Sequence, residues 1–398
     1  MLKTIAVSDL RPGMYIQEFS GAWSDHPFWR SKFVIKGEEQ VRMILKSGIR
    51  EVLIDTALGL DVAPAPAPTK PPPAPEAVAA RPLPPRTVSM SDEMLRARKI
   101  CNTARDAVAT MLNEARMGQT ISSEGVGALV ADIASSVERN PGALISLARL
   151  KTADDYTYMH SVAVCALMVS LARQLGLNDA QTREAGVAGL LHDMGKAFVS
   201  ADILNKPGKL TDAEFTEVKT HPERGHQVLA DNGGVPAAAL EVCLHHHEKM
   251  DGSGYPHRQK GEEISLLAKM GAVADVYDAV TSNRPYKSGW DPAEAIRRMT
   301  EWCNGHFDPR VFQAFVKGVG IYPTGSLVKL ASGRLAVVVE QGAQSLLKPT
   351  VRAFFSTKSQ HYILPEMIDL ARNPNEKIVG AEDPATWGVK NLEQFWLD

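Results

Sequence analysis

The chain has 398 residues, with 44 Lys and Arg against 46 Asp and Glu for a formal net charge of −2. That length exceeds one ordinary core and sets an expectation of two or three domains, while the near-neutral charge excludes a bulk attraction to nucleic acid polymers or an anionic membrane, so any phosphate recognition must be local. The four cysteines, Cys101, Cys165, Cys243 and Cys303, lie far apart with no C-x-x-C pair, which argues against a disulfide scaffold or a thiolate zinc site and fits a reducing cytoplasm.

The opening "MLKTIAVSDLRPGMYI" carries Asp9 and no continuous apolar segment, so it does not read as a signal peptide. No apolar run reaches the roughly 18 residues needed to span a bilayer. A cytoplasmic protein without membrane insertion is expected. Residues 1–60 read as a small α+β domain. "FVIK" and "EVLID" have the β-branched content of strands, and "GEEQVRMILKSG" has helix-period apolar residues ending at glycine. Its Tyr15, Trp23, Phe28 and Trp29 are expected to pack in that domain's core rather than to form a ligand face.

Residues 61–90 form a Pro/Ala-rich linker. "DVAPAPAPTKPPPAPEAVAARPLPPR" removes backbone donors and fixes φ too often for a helix interior or a central strand. Residues 91–318 then show repeated 3.6-period segments of good helix formers, as in "SDEMLRARKICNTARDAVATMLNEARM", "YMHSVAVCALMVSLARQLG" and "SLLAKMGAVADVYDAVTS". From 319 to 398 the texture turns β-like, with "GSLVKLASGRLAVVVEQ" reading as two short runs around "SG". The fold class expected is mainly α: a helical bundle with a small α+β domain before it and a short β-rich appendage after it.

The chemistry concentrates in the helical part. It contains His192-Asp193 in "GLLHDMGK", His221 in "THPERG", His245-His246-His247 in "HHHEKMDGSGYP" and Asp275 in "AVADVYDAV". One histidine on a helix is more often a satisfied buried residue than a ligand. Histidine beside aspartate at a helix end before glycine, together with adjacent histidines before a glycine loop, instead points to a divalent transition metal held by imidazole and carboxylate. Successive helix residues point about 100° apart, so the three consecutive histidines cannot all serve one metal. Two ligands and one bystander are expected.

Taken together, "YTYMHSVAV", "LLHDMGK", "ILNKPGKLTDAEFTEVKTHPERG", "HHEKMDGSGYP" and "VADVYDAVTSNRPYK" resemble the HD-GYP phosphodiesterases, a branch of the HD metal-dependent phosphohydrolases, over roughly residues 150–318. The first 60 residues resemble a domain of unknown function often found ahead of HD-GYP domains. The resemblance implies an HD-type helical bundle and two-metal hydrolysis of cyclic di-GMP to linear pGpG and often GMP. It implies one metal on His160, His192, Asp193 and Asp275, and a second on His221, His246 and His247 with Asp193 shared, leaving His245 as the bystander. Asp193 and Lys196 are the implied catalytic residues, Lys196 by contact with the scissile phosphate. Arg284 and Lys287 of "RPYK" would grip phosphate oxygens, and Gly252, Gly254 and Tyr255 would bring the GYP loop close to the substrate, with Tyr255 either touching a base or anchoring the loop.

Glu248 and Asp251 are expected to orient the histidines and the loop, and Asp278 competes with Asp275 for the ligand role. Iron or manganese suits such a site best, with zinc or nickel as alternatives. Where some members carry a glutamate that helps to bind a third metal this chain has Tyr156, a poor ligand at neutral pH, so two metals are expected. The partners implied are cyclic di-GMP, a second copy of the chain, and a diguanylate cyclase or other signalling protein. Two rivals stand beside this reading: a cyclic di-GMP sensor that has lost its chemistry, and an HD phosphohydrolase acting on another cyclic or linear dinucleotide.

Overall fold

A computed structural model of the chain describes residues 2–19, 32–46, 51–61, 88–121, 125–149, 156–282, 289–303, 305–342 and 345–396. The chain divides into two compact units, Met1–Pro82 and Leu83–Asp398. The first holds β1 (Leu2–Ala6), β2 (Tyr15–Phe19), β3 (Phe33–Val34), α1 (Glu38–Lys46) and β4 (Glu51–Asp55). Its antiparallel sheet runs β1-β4-β2-β3. In β4 the alternation of the strand buries Val52 and Ile54, which join Ile5, Ile16, Val41 and Ile44 in an aliphatic core. Tyr15 is only half-buried, and Trp23, Phe28 and Trp29 lie outside the described residues, so the described core does not rest on the expected aromatics.

The second unit begins with α2 (Met90–Arg116), whose N-cap Ser89 accepts from the Asp92 amide, followed by α3 (Val126–Arg139) and α4 (Pro141–Arg149). Next comes α5 (Tyr156–Gln174), buried all round from Met159 to Ala172. A helix without a polar face belongs at the centre of a bundle, and α2, α3 and α4 pack on it from one part of the chain. The helices α6 (Asp179–Leu191), α7 (Ala201–Leu204), α8 (Asp212–Val218), α9 (His221–Asn232), α10 (Ala237–His245), α11 (Leu266–Thr281), α12 (Pro292–Trp302) and α13 (Pro309–Val319) complete the helical part. Helices α6, α11 and α13 pack directly on α5.

The chain then forms an antiparallel sheet of β5 (Leu327–Leu330), β6 (Arg334–Glu340), β7 (Thr350–Ser356), β8 (His361–Asp369) and β9 (Ile378–Ala381), in the order β8-β7-β6-β5-β9. The "SG" turn does join β5 to β6. Strand alternation gives this sheet two apolar faces. Leu327, Leu335, Val337 and Phe355 enter the same buried cluster as the helices, and Val328, Ala336, Val338 and Val351 form a second cluster on the other face. The molecule is mainly α, with antiparallel sheets at both ends of the chain.

Candidate metal centre

Each expected ligand arrives from a different helix end or helix face. His160 is in the first turns of α5, His192 caps the C-terminus of α6 with Asp193 next to it, His221 opens α9, His246 caps α10 with His247 after it, and Asp275 lies inside α11. Two local features bring these ends together. Asn178 and Gln181 form a reciprocal capping box that fixes the start of α6. Gly195, in the tight turn after Asp193, lies so close to α9 that a Cβ there would sit 1.8 Å from the His221 carbonyl oxygen. Only glycine lets the His-Asp turn lie against His221.

Asp193 is at the centre, with its two oxygens facing different groups. Oδ2 lies 3.2 Å from His192 Nε2 and 3.4 Å from His160 Nε2, and His160 Nε2 is in turn 3.0 Å from Asp275 Oδ1. Oδ1 lies 3.3 Å from His221 Nε2 and 3.8 Å from His246 Nε2, which are 3.4 Å from each other. His221, His246 and His247 form one group able to hold an ion, and His160, His192 and Asp275 another. All are buried except His247, which is half-buried.

The histidine tautomers sharpen the point. Nδ1 of His192 donates to the Gly189 carbonyl at 2.8 Å, Nδ1 of His221 to Val218 at 2.7 Å, and Nδ1 of His246 to Val242 at 2.9 Å. With the Nδ1 proton so committed, a neutral ring turns its Nε2 lone pair towards the carboxylates and the other rings. Burial, reinforced by neighbouring histidines, pushes His246 down to about 3 and His247 well below its ordinary value, so both are neutral at pH 7. Burial alone would raise the Asp193 and Asp275 carboxyls. His192 and Lys196 overcome it at Asp193, and the hydrogen bond from His160 with the nearby His247 overcomes it at Asp275, holding both well below the usual carboxylate range.

Buried anions and lone pairs therefore converge, and His192 Nε2 and Asp193 Oδ1 have no hydrogen-bond partner among the described residues. Such an arrangement suits a cation better than a proton donor. Nitrogen and oxygen donors at these separations fit divalent ions.

Asp278 and Asp275 face different ways: Asp278 Oδ2 accepts from His160 Nδ1 at 2.6 Å and its Oδ1 from Ser282 Oγ at 3.2 Å. It stands behind His160 while Asp275 faces the cluster. The i, i+3 spacing places both on one side of α11, but sequence alone does not say which of them reaches inward. His245 turns away, buried against His257 with ring centres 5.2 Å apart. Glu248 holds the chain just past the GYP loop through the His257 amide at 2.7 Å, and Asp251 accepts from the Ser253 amide at 2.8 Å.

A pocket of about 280 Å³ opens onto the cluster, lined among others by Tyr156, Leu210, His247, Tyr255 and Asp275. Lys196 also lines it, with Nζ 2.5 Å from Asp193 Oδ2. Tyr156 stacks on His160 with ring centres 5.9 Å apart. Gly252 has φ +80°, and a Cβ on Gly254 would meet the Glu248 Cα at 2.5 Å, so the loop folds back on the helix end it follows. That places the Tyr255 ring on His247 at 4.7 Å. Arg284 and Lys287 lie outside the described residues.

The HD domain family matches residues 130–311, and a domain of unknown function, DUF3391, matches residues 2–126. A protein of Pseudomonas aeruginosa named as a cyclic di-GMP phosphodiesterase is 53% identical over 398 residues, covering 100% of this chain and 96% of its own. The chain belongs to the HD-GYP family. Two further relatives match over shorter stretches. A cyclic di-GMP phosphodiesterase response regulator of Xanthomonas campestris pv. campestris is 43% identical over 150 residues, 37% of this chain and 39% of that one. A 3'3'-cGAMP-specific phosphodiesterase of Vibrio cholerae is 38% identical over 168 residues, 42% of this chain and 36% of that one.

Proposed function

We propose that this chain is a metal-dependent phosphodiesterase that opens cyclic di-GMP to linear pGpG, with GMP as a further product. The observation that carries the chemistry is the division of labour at Asp193, whose Oδ2 faces His160 and His192 while its Oδ1 faces His221 and His246. The substrate rests on the name of the P. aeruginosa relative, matched along the whole chain.

In this reading His160, His192, Asp193 and Asp275 hold one divalent ion, and Asp193, His221, His246 and His247 a second, with iron or manganese as the cations. Such ions supply Lewis acidity, favouring ionisation of water near neutral pH and neutralising charge on the phosphodiester oxygens. The protein supplies the rest. Backbone carbonyls lock the imidazole tautomers, Asp278 orients His160, and Tyr255 roofs His247 against bulk water. Lys196 is half-buried at the pocket wall, where its ammonium can leave Asp193 for a phosphate oxygen as the diester enters. Arg284 and Lys287 are assigned to the remaining phosphate oxygens by their motif.

The deciding experiment purifies the protein anaerobically, loads it with Mn(II) or Fe(II), and follows cyclic di-GMP, 3'3'-cGAMP and linear dinucleotides by chromatography. Fastest turnover on cyclic di-GMP with pGpG appearing first supports the reading. Binding without turnover would make the protein a sensor, and faster turnover of 3'3'-cGAMP would reassign the substrate.

A further inference from the structure

The pocket over the metal centre, at about 280 Å³, lies below the usual lower end for ligand pockets of roughly 300 Å³. A space of that size would take only part of a cyclic dinucleotide, leaving the remainder to the surface beside it. Next to Tyr255, which lines the pocket, stands an aromatic residue with no role in the chemistry so far: Phe215 of α8, which is 46% exposed. A single exposed apolar side chain is ordinary. The setting of this one is not. Its ring meets Tyr255 edge-on, with centres 6.5 Å apart and planes 80° apart, and Tyr255 itself stacks on His247. A continuous run of rings thus leads from the metal centre to the surface.

Phe215 is also held in place. Thr211 and Glu214 cap α8 reciprocally, and Lys206, which lines the pocket, clamps Glu214 at 2.7 Å. Lys219 Nζ lies 5.0 Å from the Phe215 ring centre, adding a cation beside an aromatic face. Two near-perpendicular rings with a neighbouring ammonium form a corner suited to a planar base on an anionic backbone, which stacks on one ring and meets the other with its edge.

We infer that Phe215 is a substrate-binding residue that stacks a purine of the dinucleotide whose phosphate lies over the metal centre. This rests on the phosphodiester reading above and extends it to a base subsite. Stacking on a phenyl face does not select among bases, so Phe215 contributes affinity and leaves the choice of guanine to other groups.

The test compares steady-state kinetics of wild type, Phe215→Ala, Phe215→Leu and Phe215→Trp on cyclic di-GMP, with metal content measured for each. Leucine keeps the apolar bulk and removes the π face. The expected result is a KM raised roughly 10-fold in both the Ala and Leu variants, a much smaller change in kcat, unaltered metal content, and a KM at or below wild type in the Trp variant. A Leu variant with wild-type KM would overturn the inference, as would losses that follow metal content. Wild-type protein inert towards cyclic di-GMP in every metal form would sink the phosphodiesterase reading and this inference with it. Active wild type with an unaffected Leu variant would remove the base subsite alone.

Discussion

At the scale of single residues, Asp193 and Asp278 do different work from similar burial. Asp193 presents one oxygen to each half of the histidine cluster. Replacing it by alanine is expected to lower turnover at least roughly 10³-fold and to reduce bound metal to one ion per chain or fewer, measured by elemental analysis. Asp278 reaches the cluster through His160. Asp278→Ala is expected to weaken metal binding roughly 10- to 100-fold, with turnover restored by excess metal. Failure of excess metal to restore it would mean that Asp278 acts on something other than affinity. The residues that converge were legible in the sequence from histidine beside aspartate before glycine and from the family resemblance, which left His245 outside the cluster. The role of Asp278 was not legible, since spacing places it on the face shared with Asp275 without stating depth.

Between elements, close approach governs the site. Gly195 permits the His-Asp turn to rest against the first residue of α9. A methyl group there must displace His221, so Gly195→Ala is expected to destabilise the fold by about 1–3 kcal/mol and to lower metal content, read by thermal melts and elemental analysis. Farther away, α2 is tied to α3 by Glu93, fully buried, which accepts from Arg139 Nε and Nη2 at 2.7 Å each. Burial would raise the Glu93 carboxyl, but Arg139 and Ser136 hold it below the ordinary glutamate value. A depressed carboxyl contributes stability above its unfolded value and loses it as pH falls through the folded one. Glu93→Gln is therefore expected to cost roughly 2–3 kcal/mol at pH 7, less than a fully buried pair because Arg139 is partly exposed. The difference from wild type should narrow below pH 4.5, as followed by denaturant titration. Periodicity revealed α2, α5 and α11 as helices, but a contact between the HD turn and α9 is a long-range fact that no local pattern carries.

Across the whole molecule, the mainly α fold and the change to β texture after residue 319 could be read from composition and period. The sharing of a core between that sheet and the helices could not, because Leu335 and Val337 read simply as strand residues until their face finds a partner. The candidate metal centre draws on α5, α6, α9, α10 and α11, so a metal bound there is expected to stabilise the second unit as a whole. Chelation is expected to lower the melting temperature, with recovery that depends on added metal concentration. A melting temperature indifferent to metal would mean that these helices do not share the site. The most direct test of the central claim is activity on cyclic di-GMP against metal bound per chain, as metal-free protein is titrated anaerobically with Mn(II) or Fe(II). Turnover that rises to saturation at two ions per chain is the predicted result; full activity at one ion, or activity that requires three, would contradict it.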